Sequence, residues 1–274
     1  MPAMLRTALT FCVLLLTLTA QAADNPRRDF AAIVASGELR MGVALFAPWT
    51  LRNAKGELTG SEIDVGRRLA ADMNLKPVFT LLEWDKIIPA LQKGDIDVIV
   101  AGMAITPARA LQVNFSRPYA ESGVSLASNV KLTEKFDSLD DLNQPDVAIG
   151  VVKDTAAEDY ARRRFNRASI KTFPTQEQVN DALKRGLVHA YAGSMPTPRF
   201  LALANPGLID APLGSRALLP YHEAFAVRKG DPDFVNFLDA WVLARSADRW
   251  LDSVRNFWFD SLDWQNAAGG KAKQ

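Results

Sequence analysis

Short apolar segments typical of strands alternate with amphipathic helical segments along most of the chain, and this alternation restricts the possible folds more than any other feature. LRMGVAL, IDVIVAG and VAIGVV are nearly continuous apolar runs, as expected of strands buried on both faces of a sheet. Helical patterns such as IDVGRRLAADMNL and TQEQVNDALKRG lie between them. Because parallel neighbours in a sheet need long crossover connections, the pattern predicts an α/β fold with mostly parallel sheets.

Residues 1–22 have the pattern of a cleaved secretory signal. A basic start, Met1 to Arg6, precedes an apolar run from Ala8 to Ala20, and Ala20 to Ala22 has the A-x-A form of a cleavage site. The apolar run is shorter than the roughly 20 residues that span a bilayer. The only cysteine, Cys12, lies within it, so the mature chain is predicted to have no disulfide. We therefore expect an exported, periplasmic protein.

The charge balance and the motifs that are missing exclude several classes of function. The chain has 32 Lys and Arg against 31 Asp and Glu, and removing the signal, which contains only Arg6, leaves 31 of each. A net charge near zero argues against binding to nucleic acid or to anionic membranes. His189 and His222 lie far apart without metal-ligand spacing, so we predict no metal and no cofactor. Neither a G-x-S-x-G motif nor a Walker A loop occurs.

The segment from Ala101 to Tyr119, AGMAITPARALQVNFSRPY, places an arginine at the start of a predicted helix. Thr106 is a plausible N-cap and Pro107 a plausible first helical residue, so Arg109 would lie in the first turn. A cation there opposes the helix macrodipole, at a cost of some tenths of a kcal/mol. Arg109 is either a solvated surface arginine or, as we hypothesise, part of an anion site that holds a ligand carboxylate.

The order of segments predicts two lobes. Residues 23–122 together with 221–264 would form the first lobe, and residues 123–220 would form the second as an insertion. Two chain crossings between the lobes would make a hinge, with a ligand cleft where the strand ends of both lobes meet. Residues 265–274, ending in AAGGKAKQ, are predicted to be a disordered tail.

Spaced motifs, in the order PW, GSEIDVGRRLA, EWDKIIPALQKGDIDVIVAGMAITPAR and VNFSRPY, resemble the family 3 extracellular solute-binding proteins. These are the periplasmic amino-acid receptors of ABC importers. The resemblance covers nearly all of the mature chain and implies a type II periplasmic binding protein fold, in which two α/β lobes close about their hinge around one small ligand. It also implies delivery to a membrane permease, no chemical step, and a monomer.

The resemblance assigns a role to each of several positions. The carboxylate-binding arginine of the family falls on Arg109. The remaining predicted ligand contacts are two main-chain positions, two aromatic walls, a helix start in the second lobe and the position of the usual acid for the ligand's ammonium: Gly102, Ala104, Phe46, Trp84, Asp154, Thr155, Ala156 and Ser194. Trp84 and Phe46 have a second interpretation as core aromatics, and Trp49 beside a proline is predicted to pack rather than to contact ligand.

Ser194 departs from the family pattern because serine cannot neutralise a buried ammonium, whose charge costs several kcal/mol if left unpaired. Ala104 lacks the hydroxyl that many relatives carry. Val43 and Ala44 stand where receptors for basic amino acids tend to have an acid, so we do not expect a lysine or arginine receptor. The ligand is then an organic acid without an amine, or an amino acid whose amine meets one of three other acids, Glu121, Asp154 or Glu158.

An alternative, enzymatic function depends on Glu158. Thr155 and Glu158 have the T-x-x-E spacing of a capping box, which explains both residues structurally. The C-terminal half, with EAFAVRKG and LDAWVLARSADRWLDSVRNFWF, also loosely resembles cyclohexadienyl dehydratases, which share the fold and a secretory signal. In that alternative Glu158 is the general acid that expels water from prephenate or arogenate.

Overall fold

The computed structural model describes residues 27–260 and 264–265. The predicted signal, residues 1–22, lies outside the described residues, as does the predicted tail apart from Gln265. Within the described part, no helix has the length and apolar character needed to cross a membrane.

Six of the ten described α-helices begin at a residue whose side chain caps the first turn. The α-helices are α1 (Phe30–Ser36), α2 (Ser61–Asp72), α3 (Ile87–Lys93), α4 (Pro107–Ala110), α5 (Val130–Thr133), α6 (Ala156–Arg164), α7 (Gln176–Lys184), α8 (Thr197–Ala204), α9 (Pro232–Ala247) and α10 (Trp250–Arg255). The side chains of Thr106, Thr155 and Thr175 cap α4, α6 and α7. Gly37 ends α1 with a φ of 73°, a conformation that glycine adopts without steric cost.

The strands are β1 (Glu38–Val43), β2 (Leu51–Arg52), β3 (Leu58–Thr59), β4 (Lys76–Leu81), β5 (Val98–Ala104), β6 (Asn114–Phe115), β7 (Ala120–Asn129), β8 (Ala148–Val152), β9 (Ser169–Phe173), β10 (Ala190–Ser194), β11 (Ile209–Asp210) and β12 (Leu219–Val227). Except for the small β2–β3 hairpin, they form one connected sheet in the order β4-β1-β5-β12-β7-β10-β8-β9, with β6 on β12 and β11 on β7.

Parallel pairing dominates the two ends of this sheet, and antiparallel pairing joins them. β1 lies parallel between β4 and β5, and β8 lies parallel between β9 and β10. The two central strands, β7 and β12, pair antiparallel with each other and with their outer neighbours. The predicted α/β class is therefore confirmed, with parallel pairing at the two ends of a sheet that is mixed as a whole. We propose that the two long antiparallel strands are the crossings between the two halves.

The hydrophobic core is divided in the same way. One part, with Leu39 and Val100 at its centre, draws on residues 30–115 and on the C-terminal helices through Trp241. The other part, with Ile149 and Tyr191 at its centre, draws mainly on residues 124–221. Because each part buries its own apolar side chains, we propose lobe boundaries near residues 122 and 220.

Candidate functional site

A cavity lies where the strand ends of the two halves face each other. It is lined by side chains from the ends of β5 and β10, the loop after β1, the starts of α4 and α6, and the crossing strand β12: Phe46, Trp49, Trp84, Ala101, Gly102, Ala104, Arg109, Thr155, Ala156, Ser194 and Tyr221. Every predicted site residue except Asp154 is among them. Trp49, Ala101 and Tyr221 are additional residues that the sequence did not indicate.

Arg109 is the charged side chain of this cavity. Its Nη1 and Nη2 atoms donate to two backbone carbonyls, of Ala104 and of Asp154, each at 3.0 Å. The guanidinium lies over the Trp84 ring, 5.4 Å from its centroid. Burial lowers the pKa of Arg109, and among the described residues no carboxylate forms an ion pair with it. A desolvated cation held only by peptide oxygens is well suited to receive an anion.

The local structure around Arg109 corrects one of the sequence arguments. Thr106 accepts from the Arg109 backbone N–H at 3.3 Å and Pro107 opens the helix, as predicted. The helix, α4, has only four residues, however, so it lacks the length to develop a full macrodipole. The hypothesis that Arg109 binds an anion therefore depends on where its guanidinium lies, and not on the helix dipole.

Aromatic rings form the walls and the floor of the cavity. Trp84 donates its indole N–H to the Asp154 carbonyl at 3.0 Å, the same oxygen that Arg109 contacts. Trp49 packs edge-on against Phe46, with centroids 5.5 Å apart, and it is only 3% exposed. Its indole nitrogen donates to Glu223 at 3.0 Å. Trp49 thus packs as predicted and also lines the cavity.

Gly102 allows the Trp49 ring to lie against the β5 backbone. Its φ is 58°, and a Cβ built on it would lie 2.3 Å from the Trp49 indole nitrogen. Any larger residue would therefore clash with the ring and strain the backbone. This is a steric reason for glycine at a position that the sequence assigned to a main-chain contact.

Asp154 accepts hydrogen bonds from Arg109 and Trp84 with its backbone carbonyl and not with its carboxylate. Its φ of 59° turns the carbonyl towards Arg109 and Trp84. This left-handed conformation is one that Asp tolerates better than most residues. The side chain is about half exposed and lies 3.7 Å from the amine of Lys153. The predicted involvement of Asp154 is thereby restricted to a peptide oxygen, because the backbone turn points the carboxylate away from the cavity.

Glu158 is engaged in capping. Its backbone N–H donates to Thr155 Oγ1 at 3.3 Å, and its Oε2 accepts from the Asp154 N–H at 2.7 Å. Its other oxygen, Oε1, accepts from Arg162 at 2.7 Å. Both carboxylate oxygens are therefore occupied, and Glu158 does not line the cavity. The Thr155 cap is the one that the T-x-x-E spacing predicts, whereas the Glu158 carboxylate accepts from the N–H of Asp154, one residue before the N-cap, and not from the Thr155 N–H of a full capping box.

The cavity wall near Ser194 consists of hydroxyl groups. Tyr221 donates its O–H to Ser194 Oγ at 2.7 Å, and Ser122 Oγ lies 3.5 Å from the Tyr221 oxygen as its donor. Burial raises the pKa of Tyr221 well above its usual range, so the phenol stays protonated. Tyr221 and Ser122 face each other on the paired strands β12 and β7. A sequence pattern alone does not reveal this pairing.

Two buried carboxyl groups, Glu62 and Glu223, lie beneath the Trp49 floor, and each is 2% exposed. Tyr119 donates to Glu62 at 2.6 Å, and Trp49 donates to one oxygen of Glu223, whose Oε1 has no hydrogen-bond partner. Burial raises the pKa of Glu62 to about 7 and, with the nearby Glu62 charge, that of Glu223 to about 8. At neutral pH this pair therefore holds at least one proton.

The described residues contain no cluster of three or more His, Cys, Asp or Glu side chains placed to hold a metal ion. The carboxyl pair beneath the floor lacks the further ligands that a metal site needs.

Comparisons with known proteins give a consistent set of relatives. The family model for bacterial extracellular solute-binding proteins, family 3, matches residues 39–261. An octopine-binding periplasmic protein of Rhizobium meliloti is 30% identical over 187 residues, which are 61% of this chain and 63% of that protein, just under two thirds of its length. The ABC transporter glutamine-binding protein of Bacillus subtilis (strain 168) is 28% identical over 254 residues and 87% of each chain.

Two further matches bear on fold and alternative function. The crystal structure of an ancestral amino acid-binding protein, a precursor of cyclohexadienyl dehydratase, is 31% identical with a TM-score of 0.75, covering 83% of this chain and 97% of that one. This match confirms the predicted two-lobed fold. The cyclohexadienyl dehydratase of Pseudomonas aeruginosa is 22% identical over 259 residues, 94% of this chain and 95% of that enzyme.

Proposed function

The chain belongs to family 3 of the bacterial extracellular solute-binding proteins, and from this premise we propose that it captures a small carboxylate-bearing ligand by hinge closure for an ABC importer. The observation that carries the proposal is Arg109, a half-buried cation between the two halves whose hydrogen-bond partners are only peptide oxygens. A ligand carboxylate would give its guanidinium a charge-assisted partner in a water-excluded cleft, where such contacts are strongest.

Closure is supported by contacts that join the two halves beside the cavity. Gln176 brackets the backbone of Ala47, accepting from its N–H at 2.8 Å and donating to its carbonyl at 3.3 Å. Thr197 also donates to the Ala47 carbonyl, at 3.2 Å. Lys153 lies 3.6 Å from Asp85 across the cleft rim. Rotation about β7 and β12 would break these contacts together, as expected for an open and a closed form.

The partner and the compartment follow from the same membership. The glutamine-binding relative is named as part of an ABC transporter, and the octopine-binding relative is named as periplasmic. We propose that this protein is carried to the periplasm by residues 1–22 as a cleaved signal, acts as a monomer and presents its closed form to a membrane permease.

Titration calorimetry with L-amino acids and small organic acids tests the capture. An Arg109→Ala variant should lose about 30-fold or more in affinity for any ligand found, because truncating one partner of a buried charge pair costs about 2–5 kcal/mol. Arg185→Ala is the matched control, since Arg185 is an exposed arginine that pairs only with Asp181 on its own helix. Unchanged affinity in the Arg109 variant would refute the carboxylate assignment.

A second candidate function is dehydration of prephenate or arogenate, because a cyclohexadienyl dehydratase matches nearly the whole chain. The capping and ion-pair contacts of Glu158 favour the binding function over Glu158 as general acid. When the protein is incubated with either compound, we expect absorbance measurements to detect no aromatic product. Turnover that disappears in Glu158→Gln would instead establish the enzyme.

A further inference from the structure

Charge in the cavity is unbalanced. Among the described residues that line it, Arg109 is the only one with a charged side chain, and the other polar side chains are the hydroxyls of Thr155, Ser194 and Tyr221 and the Trp49 and Trp84 indoles. One ligand carboxylate would give Arg109 an ion-pair partner inside the cavity, since Asp154 and Asp159 act on it only from outside the lining. A ligand that also carried an ammonium would bring in a second positive charge, which needs a second anion.

The three acids predicted as possible partners of a ligand ammonium all lie outside the cavity lining. The Glu121 side chain is 81% exposed, 4.0 Å from His222, and lines a different surface pocket. Asp154 directs its carboxylate towards Lys153, and both oxygens of Glu158 are engaged by the Asp154 N–H and by Arg162. None of these acids lines the cavity.

The two buried acids beneath the floor are poor counterions as well. Glu223 and Glu62 do not line the cavity, and the Trp49 ring covers the Glu223 carboxyl while donating to it. Their burial favours the protonated form, as the raised pKa values of about 8 and about 7 indicate. They act as hydrogen-bonding groups that fix Trp49 and Tyr119 in place.

The hydroxyl wall has one short hydrogen bond, in which Tyr221 donates to Ser194 at 2.7 Å, so the oxygen of Ser194 already accepts one hydrogen bond. The Ser122 hydroxyl donates to the Met195 carbonyl at 3.1 Å and lies farther, at 3.5 Å, from the Tyr221 oxygen. The O–H of Ser194 is then free to donate into the cavity. A donor of this kind complements a ligand oxygen, whereas an ammonium group offers only donors and would need acceptors.

Building on the proposed carboxylate capture, we propose that the ligand is a monocarboxylate without an ammonium group, bearing a carbonyl or hydroxyl oxygen near the carboxylate, and that Ser194 and Tyr221 set this specificity. The carboxylate lies on Arg109, and the second oxygen accepts from Ser194. A 2-oxo or 2-hydroxy acid has this arrangement of groups.

Matched ligand pairs test the proposal. Calorimetry compares the L-amino acids with the 2-oxo and 2-hydroxy acids of identical side chain, for example alanine with pyruvate and lactate. The wild-type protein should bind an oxo or hydroxy acid at least about tenfold more tightly than the matching amino acid. An amino acid that binds more tightly than both of its counterparts would overturn the inference.

Two variants at position 194 sharpen the test. Ser194→Asp places a carboxylate at the hydroxyl wall and should reverse the preference, so that the amino acid of the pair binds at least about tenfold more tightly than before. Ser194→Ala removes the donor without adding charge. The affinity for the oxo or hydroxy acid should fall about threefold to tenfold, and the affinity for the amino acid should not rise. If the Asp variant does not fold, the Ala variant decides, and unchanged acid affinity contradicts the role of Ser194.

The failure of this inference is distinguishable from failure of the carboxylate capture. If the protein prefers amino acids and their binding is lost in Arg109→Ala, the carboxylate capture stands. Only the inference that the ligand has no amine is then overturned. No binding by any member of either series, or binding that is indifferent to Arg109→Ala, rejects the capture itself.

Discussion

The two ends of the cavity differ in charge and in how the chain builds them. At one end, Arg109 carries a full charge on a side chain that projects from a short helix directly after a buried strand. At the other end, Ser194 and Tyr221 present neutral hydroxyls from β10 and from the crossing strand β12. The charged end is one side chain from one half of the molecule, whereas the hydroxyl end exists only because a hinge strand and the second half meet.

This difference separates affinity from selectivity. A buried charge pair gives a large part of the binding free energy, and most carboxylates satisfy it equally. The hydroxyl end contributes less, but it discriminates because a donor without a matching acceptor, or an ammonium without an anion, is penalised. We therefore expect substitutions at the charged end to weaken all ligands together, and substitutions at the hydroxyl end to change their ranking.

A paired substitution tests this comparison with the largest expected effect. Arg109→Lys keeps the charge but loses the planar fork, so affinity should fall about 10- to 100-fold for every ligand. Tyr221→Phe removes one neutral hydrogen bond to Ser194 and should cost only about threefold to tenfold, mainly for the oxo and hydroxy acids. Calorimetry on both variants measures the two effects. A larger loss in Tyr221→Phe than in Arg109→Lys would break the comparison.

The charged end lies in one continuous segment of the sequence, which contains Arg109, Gly102 and Ala104. A cap and a proline indicated Arg109, the family resemblance supplied Gly102 and Ala104, and all three line the cavity. The α/β class was predictable because apolar runs and helical periodicity are local signals. Asp154 was located correctly at the helix start, but which of its groups faces the cavity depends on a φ of 59° that no pattern specifies.

The hydroxyl end and the floor were not predictable in this way. Tyr221 meets Ser122 through strand pairing across about 100 residues of chain, and Trp49 meets Glu223 across a sequence separation of 174 residues. No sequence pattern marks Glu62 and Glu223 as buried, and glutamate is rarely buried. Their burial follows from tertiary contacts that bring Tyr119 and Trp49 within hydrogen-bond distance.

The pH dependence of stability tests whether the floor of the cavity is uncharged. A carboxyl whose pKa is raised on folding binds more protons in the folded than in the unfolded state, so stability falls as the pH rises. For Glu223 this window runs from its unfolded value of about 4.5 to about 8, and for Glu62 to about 7. We expect the free energy of unfolding to decrease by about 3–4 kcal/mol between pH 6 and pH 8.

Glu223→Gln is the matched variant, because glutamine keeps an acceptor for the Trp49 indole without a titratable proton. Urea unfolding of this variant at pH 6, 7 and 8 should show a clearly smaller decrease than the wild-type protein does. A wild-type stability that does not fall across this range would mean that Glu223 is already ionised in the folded protein. The cavity would then have a negative charge beneath its floor, and the contrast between its ends would disappear.

The smallest expected effect concerns contacts outside both ends. Gln176 holds the Ala47 backbone by two hydrogen bonds that join the halves of the molecule, and Gln176→Ala removes both of them. Because these bonds favour closure without touching the cavity, affinity should fall about threefold to fivefold, equally for each member of a matched ligand pair. The measurement is calorimetry on the same ligands, with the exposed Gln178 as control in Gln178→Ala. A change in ligand ranking would contradict this, since it would show that closure and recognition at the hydroxyl end are not independent.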